Sequence, residues 1–169
     1  MYLYRGVSKR LLESNGGLLK PKESTPFEHN FTWDDYAERE PITWDGGATW
    51  DATETNAVIR HQLRQKGYST SGISTTPHLE RAALYARGKD GRADGLVYKI
   101  DRTRLRDFGV REFTVSEYCP TPSVPEDDEV ILVTANGGPL PHDLIAEVID
   151  VLGTTPQREL GQDNDVSPT

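Results

Sequence analysis

The sequence predicts an α+β fold, because short strand-like segments alternate with helix-like segments along a chain of single-domain length. The chain has 169 residues, which is enough to bury one hydrophobic core. Apolar alternation marks the strands, whereas caps, glycine stops and apolar residues at helical spacing mark the helices. We expect a single domain over residues 1–160 and a flexible C-terminal tail over residues 161–169.

The opening segment predicts a strand followed by a helix. Residues 1–6 carry two tyrosines and a weak alternation, as a short strand does. Ser8 is a suitable N-cap for a helix over residues 9–15, and the two glycines that follow would end that helix.

The next segment, residues 22–51, is long and polar and contains three tryptophans. A stretch of this length without regular structure is unusual inside a compact domain and is often functional. The tryptophans indicate that it packs against the rest of the domain. A helix is then predicted to run to about Lys66, where Gly67 would end it.

A hydroxyl-rich strand and a helix are predicted in the middle of the chain. Residues 68–77 read Y-S-T-S-G-I-S-T-T-P. We predict a strand over residues 68–76, with Thr76 as the N-cap of the next helix and Pro77 in its first turn. Three further segments predict strands, and a last apolar segment fits either a strand or a helix; in order they are residues 96–100, 111–118, 129–135 and 144–152.

Charge and hydropathy exclude several classes of protein. The net charge is −8 and the pI is about 5.0, so the acidic surface would repel bulk nucleic acid. No apolar run is long enough for a membrane helix, and the first residues lack the apolar core of a secretory signal. We therefore expect a cytoplasmic protein, or one that is secreted or injected by a route without a cleaved signal peptide.

Metal and disulfide chemistry are not expected in this chain. The four histidines share no ligand spacing with one another or with Cys119, which is the only cysteine. A single cysteine cannot form an internal disulfide. The predicted site therefore contains no metal.

Three short motifs in a fixed order carry the functional signal. Leu-Tyr-Arg-Gly at residues 3–6 lies on the first strand, and Ser-Thr-Thr at residues 74–76 lies on the hydroxyl-rich strand. Glu-Asp-Asp-Glu-Val at residues 126–130 opens a later strand after a proline-rich loop. Each motif alone is weak, whereas the ordered set is fairly specific. The set resembles the mono-ADP-ribosyltransferases of the cholera-toxin and heat-labile-enterotoxin type, particularly the small bacterial arginine-specific members. The resemblance spans roughly residues 2–152, without much of the tryptophan-containing stretch.

The resemblance implies both a fold and an activity. The fold would be the ADP-ribosyltransferase fold, in which two small, mostly antiparallel sheets pack at an angle with flanking helices and NAD binds between them. The activity would be cleavage of the nicotinamide–ribose bond of NAD and transfer of ADP-ribose to a protein arginine. NAD would be a substrate, the acceptor protein a second partner, and an immunity protein a further candidate partner of such a toxin.

The same resemblance implies the roles of individual residues. Glu129 would stabilise an oxocarbenium-like ribose, and Arg5 would hold a phosphate or ribose oxygen of NAD. A strand hydroxyl would orient Glu129: the distance to the next helix favours Ser74, whereas the literal motif match is Ser-Thr-Ser at residues 69–71, and both registers stay open. The residues expected to contact NAD are Tyr4, Arg5, Gly6, Ser74, Thr75, Thr76 and Glu129.

Asp127 stands where the arginine-specific family has glutamate, two residues before Glu129. On an extended segment both side chains would share a face, so Asp127 would orient or deprotonate an acceptor guanidinium. Because aspartate is shorter, the acceptor stays open, and Glu126 is an alternative partner for it. Plain NAD hydrolysis, modification of a nucleic-acid base, and an inactive relative that only binds partners are the other functions left open.

Overall fold

The computed structural model describes residues 1–21, 72–119, 121–135 and 137–154. These residues form two three-stranded antiparallel sheets with short helices between the strands. The predicted mixed α+β class is therefore confirmed. The tryptophan-containing stretch, the helix predicted to end near Lys66, the alternative hydroxyl register at residues 69–71 and the predicted tail lie outside the described residues, so these expectations and the domain boundary stay predictions.

The first sheet has the strand order β1-β3-β6. Its strands are β1 (Tyr2–Ser8), β3 (Gly95–Asp101) and β6 (Ile145–Val151). In β1 the buried side chains are Leu3 and Val7, four residues apart and so on the same face of the strand. The last apolar segment of the chain, which fitted either type of element, is thus a strand.

The second sheet has the strand order β2-β5-β4. Its strands are β2 (Ile73–Thr75), β4 (Val110–Thr114) and β5 (Val130–Thr134). All five residues of the central strand β5 are buried, as its continuous apolar run requires. None of the helices formed by the described residues has the length and apolar character needed to cross a membrane.

A backbone bridge between Tyr4 and Thr76 joins the two sheets. The Tyr4 amide donates to the Thr76 carbonyl oxygen at 2.7 Å, and the Thr76 amide donates to the Tyr4 carbonyl oxygen at 3.0 Å. The bridge brings the residue after Tyr4, which is Arg5, next to the end of β2. Two motifs that are about 70 residues apart in sequence therefore meet at this junction.

The first two α-helices follow β1 and β2. The sequence predicts the start of the first helix correctly and the start of the second incorrectly. Helix α1 (Lys9–Ser14) begins at the predicted cap Ser8, whose Oγ accepts from the Leu11 amide at 3.3 Å. Helix α2 (Leu79–Ala86) has His78 as its N-cap, so the predicted cap at Thr76 and the predicted place of Pro77 in the first turn are wrong. The Thr76 backbone is engaged in the bridge with Tyr4, and the helix starts only after the chain leaves that bridge.

The strand predicted over residues 111–118 is also wrong in its second half. Strand β4 ends at Thr114, and Val115–Tyr118 forms a short helix, α3. The Cys119 amide donates to the Val115 carbonyl oxygen at 2.8 Å and closes that turn. Three 3-10 helices complete the described fold: Arg102–Phe108, Pro125–Asp127 and His142–Leu144.

Candidate active site

A cleft opens at the junction of the two sheets, where β1, β2 and α2 meet. It is lined by Tyr4, Arg5, Gly6, Ser74, Thr75, Thr76, Ala82, Tyr85 and Asp127. Six of the seven residues expected to contact NAD are in this lining. The seventh, Glu129, accepts a hydrogen bond from one of them, Ser74. The three motifs of the sequence therefore meet in one place.

Sheet pairing places Glu129 against the hydroxyl-rich strand. In the antiparallel pair of β2 and β5, Ser74 lies opposite Ile131, so residue 129 is its diagonal neighbour on the same face. Ser74 Oγ donates a hydrogen bond to Glu129 Oε1. Thr75 Oγ1 donates to the Val130 carbonyl oxygen at 2.6 Å. The hydroxyl-rich strand thus holds both the side chain and the backbone at the start of β5.

Residues 69–71 lie outside the described residues, so the choice between the two hydroxyl registers remains a prediction. The described contact involves Ser74, which the distance to the next helix favours.

Arg5 supplies the positive charge of the cleft. Its Nη1 donates to the Ser74 carbonyl oxygen at 2.9 Å. Burial lowers the pKa of the Arg5 guanidinium from its usual value, while the neighbouring Glu129 and Tyr85 act in the opposite direction. A guanidinium stays charged under all ordinary conditions, so this cation has lost part of its hydration and would gain from an anionic ligand.

The sequence predicted that Asp127 lies on an extended segment and shares a face with Glu129, and this prediction is wrong. It ends the 3-10 helix Pro125–Asp127, and Asp128 follows with a left-handed backbone at φ 44°. Because the chain turns between positions 127 and 129, the argument that alternate residues of a strand share a face does not apply.

The Asp127 carboxylate is bound on both oxygens by helix α2. Arg81 Nε donates to Oδ1 at 2.6 Å, and the Tyr85 hydroxyl donates to Oδ2. Asp127 is only 7% exposed. Burial is the main cause that raises the pKa of Tyr85, and the hydrogen bond to Asp127 adds to it, so the hydroxyl keeps the proton that it donates.

Sequence reasoning did not single out Arg81 and Tyr85, the two partners of Asp127. They are four positions apart on α2, a spacing that places both on one side of a helix. That spacing is visible in the sequence, and the helix that carries both residues is the next element after the hydroxyl-rich strand. The partner, however, lies 46 residues further along the chain from Arg81, and no local pattern points to it.

A family model matches the part of the chain that contains the residues of the cleft. No curated protein matches the chain. The family model NarE, which describes ADP-ribosyltransferase-like proteins, matches residues 2–132. That range is more than half of the chain and contains Arg5, Ser74, Asp127 and Glu129. The chain therefore belongs to the NarE family of ADP-ribosyltransferase-like proteins.

Proposed function

We propose that the chain is an NAD-dependent mono-ADP-ribosyltransferase that cleaves the nicotinamide–ribose bond and transfers ADP-ribose to a protein arginine. The observation that carries this proposal is the Glu129 carboxylate, held by the Ser74 hydroxyl beside a cleft that also contains the Arg5 guanidinium. One oriented carboxylate and one fixed cation are the two charges that this reaction needs. The fold in this proposal is the ADP-ribosyltransferase fold.

The chemistry explains why one carboxylate is sufficient for bond cleavage. When the bond from the nicotinamide nitrogen to ribose C1′ breaks, the electron pair moves to the ring nitrogen and cancels its positive charge. Nicotinamide therefore leaves neutral, and no general acid has to protonate it. Positive charge develops on the ribose, as in glycoside hydrolysis, and Glu129 stabilises it electrostatically.

The second half of the reaction forms the bond to the acceptor. A lone pair of the acceptor nitrogen attacks ribose C1′, and the acceptor releases one proton. The resemblance of the three motifs points to a guanidinium nitrogen of a protein arginine. Water as the acceptor would give plain NAD hydrolysis, and a base nitrogen would give a modified nucleic acid.

Arg5 is proposed to bind a phosphate of NAD. A planar guanidinium has several donors in a fixed geometry, and in this chain one of them is used by the Ser74 carbonyl oxygen. Its burial favours an anionic ligand, because a partly dehydrated cation regains favourable electrostatics from it. The same residue thus links the binding of NAD to the position of the strand that holds Glu129.

Replacing Arg5 by Lys should raise the KM for NAD by about 10- to 100-fold, the range expected for losing a charge-assisted hydrogen bond. Lysine keeps the charge but lacks the planar fork that can bind Ser74 and a phosphate together. Steady-state kinetics of nicotinamide release measures the effect. Arg10→Lys, on the exposed surface of α1, is the matched control, and an unchanged KM in Arg5→Lys would contradict the assignment.

Replacing Ser74 by Ala should lower kcat about 10-fold or more, because Glu129 loses a donor that orients it. The comparison variants are Ser69→Ala and Ser71→Ala, which belong to the alternative register. We expect both to keep near wild-type kcat. If they lose activity and Ser74→Ala does not, the register built on Ser74 is wrong.

Labelled NAD tests the function itself and identifies the acceptor. The purified chain is incubated with NAD labelled in the ADP-ribose part, together with a cell extract, and the label is then located. Label on protein that hydroxylamine removes, under conditions that cleave arginine links, supports the proposal. Label found only as free ADP-ribose would show a hydrolase, and label on nucleic acid would show a base-modifying enzyme. NAD binding without nicotinamide release would show an inactive binding module.

A further inference from the structure

We infer that Asp127 is a positioning residue: clamped by Arg81 and Tyr85, it holds the turn that presents Glu129, and it does not receive the proton of the acceptor. This inference rests on the proposed function and assigns a role within the same site. It reverses the role that the sequence implies for Asp127. It also adds Arg81 and Tyr85 to the residues on which the reaction depends.

The contacts of Asp127 leave little of it for an acceptor. Both carboxylate oxygens accept hydrogen bonds from α2, one from Arg81 Nε and one from the Tyr85 hydroxyl. The Asp127 side chain is 10% exposed, whereas that of Arg81 is 28% exposed. A carboxylate has about four acceptor sites; two of those of Asp127 are taken by α2, and its low exposure leaves little access for an incoming guanidinium to the others.

The turn that contains Asp127 is short and closed mainly on itself. The Asp127 amide donates to the Val124 carbonyl oxygen at 3.2 Å, and the Asp128 amide donates to the Pro125 carbonyl oxygen at 3.2 Å. These bonds shape the turn without attaching it to the rest of the fold. Arg81 and Tyr85 attach it to α2 through Asp127. The contact of Asp128 with His78, the N-cap of α2, at 2.7 Å adds a second, more exposed attachment.

Glu129 is consequently held by two consecutive elements of the chain, strand β2 and helix α2. Strand β2 contributes Ser74, which binds the Glu129 side chain, and α2, which follows β2 along the chain, clamps Asp127 two residues upstream. A displacement of the turn would be passed on to Glu129 through a single intervening residue. A shift of about 1 Å at a catalytic group can cost on the order of 100-fold in rate.

The two roles of Asp127 predict opposite effects when Arg81 is removed. If Asp127 received the proton of the acceptor, Arg81 would compete with the acceptor guanidinium, and Arg81→Gln would increase transfer. If Asp127 positions Glu129, the turn loosens in Arg81→Gln and every reaction that starts with cleavage of the nicotinamide bond slows down. The sign of the change therefore separates the roles.

The experiment measures two reactions of the same variants. The first is nicotinamide release with water as the only acceptor, and the second is transfer to a small soluble guanidine, arginine methyl ester. For Asp127→Asn and Arg81→Gln we expect kcat to fall about 10- to 100-fold in both reactions, with the KM for NAD nearly unchanged. Tyr85→Phe, which removes a single hydroxyl, should lower both several-fold. The double variant Arg81→Gln/Asp127→Asn should be little worse than Asp127→Asn, because the pair is already broken.

The matched controls make the same types of substitution, Asp→Asn and Arg→Gln, at positions outside the contacts of Asp127. Asp107→Asn removes an exposed carboxylate from another 3-10 helix, Arg102–Phe108, and Arg87→Gln removes another arginine at the end of α2. Both should retain wild-type kcat. Thermal melting of every variant separates loss of fold from loss of rate, and the conservative Tyr85→Phe keeps the test valid if a charge variant does not fold.

The outcomes separate this inference from the proposed function. Equal losses in both reactions support the clamp. Loss of transfer with intact hydrolysis in Asp127→Asn, or faster transfer in Arg81→Gln, overturns the clamp and restores Asp127 as the acceptor-facing group. A wild-type chain that releases no nicotinamide overturns the proposed function, and the clamp with it.

Discussion

Replacing Glu129 by Gln should lower nicotinamide release from NAD on the order of 100- to 1,000-fold, while the melting temperature stays close to that of the wild type. Glutamine has the same length, and its amide oxygen still accepts the hydrogen bond from Ser74 Oγ. The substitution therefore removes the negative charge with little change of shape. Because positive charge develops on the ribose only as the bond breaks, we expect kcat to fall far more than NAD affinity.

The prediction for Glu129→Gln has a matched control on the surface of the protein. Glu117→Gln removes an exposed carboxylate from helix α3 and should leave the rate unchanged. Kinetics of nicotinamide release and a separate NAD-binding measurement give the two quantities. A Glu129→Gln variant with wild-type turnover would refute the electrostatic role. If neither the wild type nor Glu129→Gln releases nicotinamide and both bind NAD equally well, the result would favour a binding module.

Replacing Gly6 by Ala should destabilise the protein by about 3 kcal/mol, near the upper end of the usual range for overpacking. A Cβ at this position would lie 1.8 Å from the Ala82 carbonyl oxygen and 2.8 Å from the Ala86 amide nitrogen. These are backbone atoms of α2, so no side chain can rotate away and the whole helix must move. Urea denaturation measures the change in the free energy of unfolding.

The same substitution has a consequence for activity and a matched control. Since α2 carries Arg81 and Tyr85, its displacement should also lower nicotinamide release in the fraction of molecules that remain folded. A Cβ on Gly138 would meet no described atom within 4 Å, so Gly138→Ala should change stability by less than about 0.5 kcal/mol. Equal stabilities of the two variants would show that α2 does not approach β1 as closely as described.

Local signals in the sequence were reliable where the deciding atoms are close together in the chain. The Ser8 cap predicted the start of helix α1, and the apolar run after Glu129 predicted strand β5. Both depend on side chains within one turn or one strand of the residues that they organise. The sequence also singled out the motif residues Arg5, Ser74 and Glu129; the structure brings them together, while their roles stay predictions.

Two wrong predictions, the cap at Thr76 and the second half of the strand over residues 111–118, concern places where pairing with a distant segment begins or ends. Thr76 has the residue type of a helix cap, but its backbone is paired with Tyr4. Val115 continues an apolar pattern, but the last pair between β4 and β5 is Thr114 with Val130, and the chain turns into a helix there. Neither partner can be read from a window of neighbouring residues.

The sequence by itself determined the mixed α+β class, most of the described strands, and the residues of the three motifs, because these follow from side-chain type and short-range spacing. Only the tertiary structure showed what the Asp127 carboxylate contacts. Its partners on α2 lie 42 and 46 residues away, and whether a carboxylate is open to a ligand or bound within the chain depends on which groups folding brings to it. Burial and competing donors are properties of the folded chain, so no local pattern in the sequence could indicate them.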